Sequence, residues 1–205
     1  MSCCCSSLKC CCKFLGGLLG ALFPIGVIIL IYWVIFQPHQ IRATVGSATL
    51  TGLTVTNASV VSYRLAVTLD IYNPSLRVGI YHDTLDAELS YRGASLGGPA
   101  VGASTASPAE FYQRRKSWKT VKVEFDGSSG GILPGDVAGE LEKEMGRGVV
   151  SLEVAVDARV RYRFNRIKIR QKPNLWCSLR IPVKADRGRG VGGALTSGDP
   201  CSVKY

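Results

Sequence analysis

The amino-acid sequence predicts an all-β fold, an antiparallel β-sandwich with one short helix, preceded by a single transmembrane helix. Three observations support this prediction. Apolar and polar side chains alternate along five segments after about residue 42, short turn motifs separate those segments, and an uncharged apolar stretch lies near the N-terminus. A period of two is typical of strands with one buried and one solvated face.

The apolar stretch extends from Phe14 to Phe36, 23 residues without a charged side chain. As a helix it spans about 35 Å, which exceeds a hydrocarbon core of roughly 30 Å. Pro24 predicts a kink within it. A buried globular helix and a cleaved signal peptide are the alternatives, but the stretch is longer than the apolar region of a signal peptide, about 7–15 residues.

The charges that flank this stretch indicate its orientation. Lys9 and Lys13 precede it and only Arg42 follows closely, so the positive-inside rule places the N-terminus in the cytosol and the large domain outside. The predicted organisation is a cytosolic Cys-rich tail over 1–13, the helix over 14–36, a linker over 37–46, the sandwich over 47–185 and a Gly-rich C-terminal segment over 186–205.

Six of the eight cysteines lie in the N-terminal tail: Cys3, Cys4, Cys5, Cys10, Cys11 and Cys12. Cytosolic cysteines next to a membrane are the usual substrates of S-palmitoylation, which we expect for some of these residues. Unmodified thiols are one alternative. A zinc site is another, but adjacent cysteines do not easily point at one tetrahedral centre, so no metal site is predicted.

Each predicted strand alternates inside and outside. The five strands cover 62–72, 85–91, 121–125, 152–164 and 175–183. One helix interrupts them: Pro134-Gly135-Asp136 opens it, Val137, Leu141 and Met145 recur at four-residue spacing, and Gly146 and Gly148 close it. We expect a mobile loop or linker over 186–200, because that segment is Gly-rich and polar.

Several short motifs follow this pattern in a fixed order. Asn73-Pro74 ends a strand, because Pro cannot donate to a ladder and the Asn side chain can close an Asx-turn. Phe111 and Tyr112 are expected to pack against the sheet. The full order of motifs is Asn73-Pro74, Ile80-Tyr81-His82-Asp83, Pro108 to Gln113, Val160 to Arg163, and Pro200-Cys201-Ser202-Val203.

Together with the Cys-rich tail and the apolar helix, this order resembles the plant LEA type 2 family, in its harpin-induced-like and non-race-specific disease resistance-like branch. The residues that carry the family motifs are Asn73, Pro74, Tyr81, Asp83, Phe111, Tyr112 and Gln113. The chain departs from the family pattern at Ser75, where a second Asn is usual, and at His82, where a second Tyr is usual.

The resemblance implies a fibronectin-III-like sandwich, a plasma-membrane location, and a role in pathogen defence and abiotic-stress responses. It implies no catalytic activity and no cofactor. The residues agree with that expectation, because His39 and His82 are the only histidines and neither can be paired with a nucleophile from the sequence.

Two features bear on the side of the membrane. Cys177 and Cys201 would most simply form one disulfide in an oxidising compartment, and the alternative is a buried free Cys177 with an exposed free Cys201. Asn57-Ala58-Ser59 is a sequon for N-glycosylation at Asn57. A glycan there would require an external domain.

The net charge of +10 is most concentrated in one basic segment. Its residues are Arg159, Arg161, Arg163, Arg166, Lys168 and Arg170, and the first three share one face of a strand. The simplest interpretation is a solvated sheet face. The functional interpretation is docking onto anionic lipid or acidic cell-wall polysaccharide, and no nucleic acid is expected outside a membrane.

The first functional hypothesis is a non-enzymatic plasma-membrane protein that displays its sandwich outside the cell, with other membrane or immune-signalling proteins as candidate partners. An alternative is a module that binds lipid or another apolar ligand, for which Ala66, Ala87 and Ala158 could leave a cavity. A tether between membrane and cell wall is a third hypothesis. The oligomeric state does not follow from the sequence.

Overall fold

The structure is a computed structural model that describes residue 20 and residues 22–31, 40–57, 59–97, 100–101, 111–164, 167–185, 190–196 and 198–205. The chain divides into two compact units, Met1–Pro38 and His39–Tyr205. The six N-terminal cysteines and Arg166 lie outside the described residues.

In the first unit, residue 20 and residues 22–31 are helical. The large apolar side chains of this helix, from Leu22 to Ile31, are between 40% and 75% exposed. Pro24 lies within the helical segment, whereas Phe14 and Phe36 lie outside the described residues. Among the residues that the structure describes, no helix has the length and apolarity needed to cross a membrane.

The second unit is built of strands and one helix. In chain order they are β1 (Arg42–Thr56), β2 (Val60–Asn73), β3 (Gly79–Tyr91), β4 (Ala94–Ser95), β5 (Ala100–Val101), β6 (Phe111–Gln113), β7 (Ser117–Asp126), β8 (Gly131–Ile132), α1 (Gly135–Arg147), β9 (Val149–Phe164), β10 (Ile167–Gln171), β11 (Asn174–Pro182), β12 (Lys184–Ala185), β13 (Val191–Leu195) and β14 (Ser202–Lys204).

The described strands form two antiparallel sheets of seven strands each. The first sheet has the order β12-β13-β1-β2-β7-β5, with β8 also paired to β2. The second has the order β14-β11-β9-β3-β4, with β10 paired to β9 and β6 paired to β3. The inward side chains of both sheets form a single buried cluster. The architecture is therefore a β-sandwich, as predicted, while the finer fibronectin-III-like topology stays a prediction.

The alternation read from the sequence matches the burial of the strands. In β2, Tyr63, Leu65, Val67, Leu69 and Ile71 are all buried. The same alternation holds along β9 from Val150 to Tyr162 and along β11 from Leu175 to Ile181. These inward side chains exclude water between the sheets, and this burial is the main favourable contribution to folding.

The helix α1 begins at Gly135 and ends at Arg147, close to the predicted limits. Ala138 and Leu141 are its buried residues, and they lie three positions apart on one face. Gly148 follows in the left-handed conformation with φ of 83°, and its N–H donates to the carbonyl of Met145. This is the usual C-terminal cap of a helix.

Three expectations about local structure are wrong. Residues 191–195 are not part of a loop: they form β13, which pairs with β1 through Ala48, Thr49 and Leu50 and extends the first sheet. Ala66 is not a core residue, because it lies on the outward face of β2 and is exposed. Strand pairing also begins at Arg42 instead of residue 47.

Cys177 and Cys201 form a disulfide with an S–S distance of 2.03 Å. Cys177 is buried on β11, and Cys201 precedes β14 in the C-terminal segment. The N–H of Cys201 also donates to the carbonyl of Ala43 at 2.8 Å, so the segment is tied to both sheets. A disulfide across 24 residues is worth about 3 kcal/mol by loop-closure entropy.

Candidate functional site

Asn73 closes the end of β2 with its side chain. It is fully buried, and its Nδ2 donates to the carbonyl of Val78 at 3.0 Å and to that of Arg114 at 3.1 Å. Its Oδ1 accepts the N–H of Ser75 at 3.0 Å, which confirms the predicted Asx-turn. The carboxamide therefore joins two segments, the β2–β3 loop and the turn after β6.

Gln113 makes a second buried carboxamide contact, and this one links the two sheets. Its Nε2 donates to the carbonyl of Ile71 at 2.9 Å and to that of Ser117 at 2.8 Å, both in the first sheet. Its Oε1 lies 3.0 Å from Nε2 of His82 on β3 of the second sheet. All three partners of this side chain are protein atoms, so its polar atoms are satisfied without solvent.

His82 is 2% exposed and stacks on Phe111, with ring centroids 4.4 Å apart. Because both Nε2 hydrogens of Gln113 are donated elsewhere, its oxygen must accept, and Nε2 of His82 must carry the proton. No described residue donates to His82 Nδ1. Burial lowers the pKa of His82, against smaller raising effects of the Gln113 hydrogen bond and the Asp83 charge. The ring is therefore neutral.

A β-bulge at Asp83 explains how this His comes to be buried. Tyr81 and His82 pair with Arg161 and Val160, but the next pair is Thr84 with Arg159, so Asp83 is the extra residue. The bulge lets both His82 and Leu85 point into the core, although they are three residues apart. Asp83 points outward, where Arg161 reaches it at 2.7 Å.

The outward side of this region forms an open basic groove of about 220 Å³, lined by Tyr81, Arg161, Arg163 and Lys168. We call these four residues the basic groove. Lys168 on β10 lies opposite Arg163 on β9, so both side chains share the outer face. Arg163 Nη1 donates to the hydroxyl of Tyr81 at 3.0 Å, and the Arg161 guanidinium lies over the Tyr81 ring at 5.8 Å.

Tyr112 supports the groove from the neighbouring strand. Its ring packs on Tyr81 with centroids 4.6 Å apart, and it contacts the backbone at Gly79, where a Cβ would collide with the Tyr112 ring. Phe111 is buried, whereas Tyr112 is half exposed. In the Phe-Tyr-Gln motif, Phe111 and Gln113 thus point inward, between the sheets, and Tyr112 points outward, against the groove.

The charge of this face is positive around the groove, whereas farther along β3 and β9 the same face carries acidic residues: Asp86, Glu88, Glu153 and Asp157. Arg159 and Arg170 lie on the same outward face as the groove residues, Arg159 next along β9 and Arg170 opposite Arg161 on β10. Among the described residues of this cluster, Asp83 is the acidic partner, and it is paired with Arg161. The groove can therefore bind carboxylate or phosphate oxygens, because the planar guanidinium group of Arg donates paired hydrogen bonds to such groups.

The structure brings together residues that the sequence did not connect. The pairing of His82 with Gln113 and the three partners of Asn73 were not predicted, since they join positions far apart in the chain. Tyr205 was also missed: its hydroxyl accepts the N–H of Ile41 at 2.9 Å and lies 3.1 Å from the Tyr162 hydroxyl. Asn57, the predicted glycosylation site, is exposed in the β1–β2 turn.

A family model described as "Late embryogenesis abundant protein", LEA_2, matches residues 68–181, which include the second half of β2, all of β3, β6 and β9, and the basic groove. The chain belongs to this family, which confirms the resemblance read from the motifs.

Among the relatives are proteins of Arabidopsis thaliana. NDR1/HIN1-like protein 10 is 30% identical over 189 residues, covering 91% of this chain and 78% of the relative. NDR1/HIN1-like protein 1 is 29% identical and covers 94% of this chain and 88% of the relative. NDR1/HIN1-like protein 3 is 28% identical and covers 81% of this chain and 70% of the relative.

A crystal structure of a protein from Archaeoglobus fulgidus aligns with a TM-score of 0.32 and 11% identity, covering 72% of this chain and 98% of that one. A similarity of that size carries no argument about fold or function. The family and the plant relatives indicate a plant protein related to stress and defence.

The buried neutral His82 predicts a specific pH dependence of stability. Because burial holds its pKa below the ordinary value of 6.5, the unfolded chain binds more protons than the folded chain as the pH falls below 6.5. The free energy of unfolding should therefore decrease with acidification from about that pH. In a His82→Gln variant the side chain at position 82 does not titrate, so the part of the decrease in unfolding free energy that is due to His82 should be absent.

The measurement is urea unfolding of residues 39–205 at a series of pH values, for the wild type and the variant. Only the difference between the two pH profiles is interpreted, since carboxylates contribute equally to both. An Asp83→Asn control, which removes the charge that favours protonated His82, should keep the His-dependent decrease. Parallel profiles for the wild type and His82→Gln would contradict the neutral assignment.

Proposed function

We propose that this chain is a non-enzymatic, single-pass plasma-membrane protein of plant stress and defence responses. In this proposal it displays its LEA type 2 sandwich outside the cell and binds acidic cell-wall polysaccharide through the basic groove. The observation that carries the ligand assignment is the convergence of Arg161, Arg163 and Lys168 around the Tyr81 ring.

The apolar stretch Phe14–Phe36 supports the membrane part of the proposal. It contains no charged residue, and the large apolar side chains over 22–31 are exposed in the structure. Exposed apolar side chains on successive turns of a helix have no favourable partner in water, whereas lipid chains would cover all of them. Palmitoyl groups on some of the six N-terminal cysteines would strengthen this anchor from the cytosolic side.

Three features support the external side for the sandwich. The excess of Lys before the apolar stretch favours a cytosolic N-terminus. A disulfide such as Cys177–Cys201 persists in an oxidising compartment and is rare in the cytosol. The sequon at Asn57 has its Asn side chain in an exposed turn, and N-linked glycans are carried at the surface.

The geometry of the groove favours a linear polyanion with carboxylates. Alternate residues of a strand are about 7 Å apart, so Arg159, Arg161 and Arg163 form a regular row of cations along β9. Lys168 and Arg170 make a second row on β10, in register with the first. A chain of acidic sugars can approach successive cations in such rows. Arg161 is already paired with Asp83, and the guanidinium of Arg163, which donates to the Tyr81 hydroxyl through Nη1, has further N–H groups that can bind a carboxylate.

One prediction of this proposed function concerns ligand binding. The domain 39–205 should bind polygalacturonate, and Arg163→Glu/Lys168→Glu should weaken binding at least tenfold, because two attractions become repulsions in one groove. Binding should also weaken as salt rises, because exposed charges are screened. Microscale thermophoresis at several salt concentrations measures both effects.

The matched control is Arg180→Glu/Lys184→Glu, which changes the net charge equally at exposed positions away from the groove. This control should lose much less affinity than the groove variant. Equal losses would indicate attraction to the overall charge only, and salt-independent binding would contradict the ionic mechanism.

Another prediction of this proposed function concerns the topology of the chain in the membrane. If the sandwich lies outside, the full chain made in the presence of microsomes should carry a glycan at Asn57 and resist added protease after about residue 40. Endoglycosidase should increase the gel mobility of the wild type but not of Asn57→Gln, and the same variant controls for glycans elsewhere. A C-terminal tag that protease removes from intact microsomes, on a chain without a glycan, would contradict the topology.

A further inference from the structure

The outward face of the second sheet extends past the basic groove along β9. Beyond Arg159, the next outward positions of this strand are Asp157, Ala155 and Glu153. The strand β11 pairs with this part of β9 and places Trp176 directly opposite Ala155. Because directly opposite residues of two paired strands lie on the same face, Trp176 shares the face of the groove. Ala155 is four residues from Arg159, about 13 Å along the strand.

Trp176 offers an aromatic surface that the sandwich itself does not cover. It is 45% exposed, and among the described residues no aromatic ring stacks on it. Trp118 on the first sheet differs, because its ring is stacked on Tyr72 with centroids 4.6 Å apart. The residue opposite Trp176, Ala155, carries only a methyl group, so no long side chain of β9 directly opposes the indole. The indole is therefore a flat apolar surface in contact with solvent.

The charge around Trp176 is opposite to that of the groove. Four carboxylates share this part of the face: Asp86, Glu88, Glu153 and Asp157. Asp86 and Asp157 are directly opposite each other, an arrangement that destabilises a sheet. Cations lie at the borders, with Arg159 and Lys204 on one side and Arg180 on the other. We call Trp176, Ala155 and the four carboxylates the Trp176 face.

Neutral polar side chains adjoin the Trp176 face. Asn174 Nδ2 donates to the Asp157 carboxylate, which holds that carboxylate in place. Ser178 follows Trp176 by two residues on β11, and Ser202 on β14 lies opposite Trp176. Hydroxyl groups both donate and accept hydrogen bonds, whereas ionised carboxylates only accept them. An apolar ring is thus flanked by groups that bind hydroxyl groups.

An uncharged sugar residue has the two chemical properties that this arrangement fits. One side of its ring carries C–H groups, which can pack on the indole of Trp176 and remove apolar area from water. Its hydroxyl groups can donate to carboxylates such as Glu88 and Glu153. A sugar with a free carboxylate would instead be repelled by the four acidic side chains. Charge complementarity therefore favours uncharged sugars at the Trp176 face and acidic sugars at the basic groove.

We propose that the Trp176 face is a subsite for uncharged sugar residues of the same polysaccharide whose acidic residues bind the basic groove. This inference rests on the proposed function and narrows its ligand to a chain in which free uronates adjoin uncharged sugars. Both subsites lie on one face along β9, with about 13 Å between Arg159 and Ala155, so one extended chain can contact both.

Two oligogalacturonates of equal length test this subsite. One carries a free carboxylate on every residue, and in the other the residues of one half are methyl-esterified. The ester removes the charge of a carboxylate and leaves the sugar ring in place. Binding of each oligomer to the full chain in a non-ionic detergent is measured by microscale thermophoresis. Trp176→Ala should weaken binding of the half-esterified oligomer about fivefold and leave that of the fully charged oligomer nearly unchanged.

Matched variants separate stacking and charge from general effects on the fold. Trp176→Tyr keeps an aromatic ring and should retain most of the affinity, and Trp118→Ala, which removes an exposed tryptophan of the other sheet, should change neither oligomer. Glu88→Gln/Glu153→Gln should bind the fully charged oligomer severalfold more tightly, because it removes two repulsions. Its control, Glu124→Gln/Glu142→Gln, changes the net charge equally at exposed positions on other elements and should have a much smaller effect.

The groove variant Arg163→Glu/Lys168→Glu distinguishes failure of the subsite from failure of the proposed function. If it weakens binding of both oligomers while Trp176→Ala matches the wild type, the groove is supported and the subsite is overturned. If only Trp176→Ala weakens binding, the subsite is supported and the groove assignment is overturned. Loss with neither variant would overturn both, and equal loss of the two oligomers with Trp176→Ala would overturn the preference for uncharged sugars.

Discussion

The side-chain amide of Gln113 is the interaction on which the functional end of this sandwich depends. One carboxamide holds two backbone carbonyls of the first sheet and the imidazole of His82 in the second. Apolar packing brings the sheets together but is not directional, whereas hydrogen bonds fix relative position. Loss of this side chain would leave several buried polar groups unsatisfied, at about 1–3 kcal/mol each.

The surfaces at this end follow from that internal arrangement. Gln113 and its neighbours hold β6 against β3, which places Tyr112 on Tyr81 and thereby shapes the basic groove. Asn73 holds the β2–β3 loop against the turn at Arg114, which brings the exposed cations of these two segments close together. Two buried amides thus position two exposed clusters of charge. Charged side chains gathered in one place repel each other, so they need a rigid support of this kind.

The sequence predicted the parts of the fold that depend on local patterns. Alternation identified β2, β9 and β11, because each has one face in the core and one in solvent. The Asn-Pro motif predicted the Asx-turn, since that contact lies within two residues of Asn73. The contact between His82 and Gln113 spans 31 residues and depends on strand register and on the bulge at Asp83, neither of which a local pattern encodes.

The C-terminal segment was wrongly predicted for a related reason. Its glycines suggested a loop, yet in β13 they permit close approach: a Cβ at Gly193 would collide with the carbonyl oxygen of Pro182. Composition alone does not distinguish a flexible segment from a strand that packs against another backbone. The cations of the basic groove, Arg161, Arg163 and Lys168, were visible in the sequence as one basic segment, but the Tyr81 ring joined them only through the pairing of β3 with β9.

The side-chain amide protons of Gln113 and Asn73 give the most direct test of this account, because they report on the two central contacts themselves. We predict that NMR of ¹⁵N-labelled residues 39–205 finds both NH₂ groups protected, with hydrogen exchange as slow as that of core backbone amides. The amide of the exposed Gln40 is the control and should exchange fast. Exchange of the Gln113 and Asn73 protons at the rate of Gln40 would contradict the claim that buried amides hold this end of the sandwich.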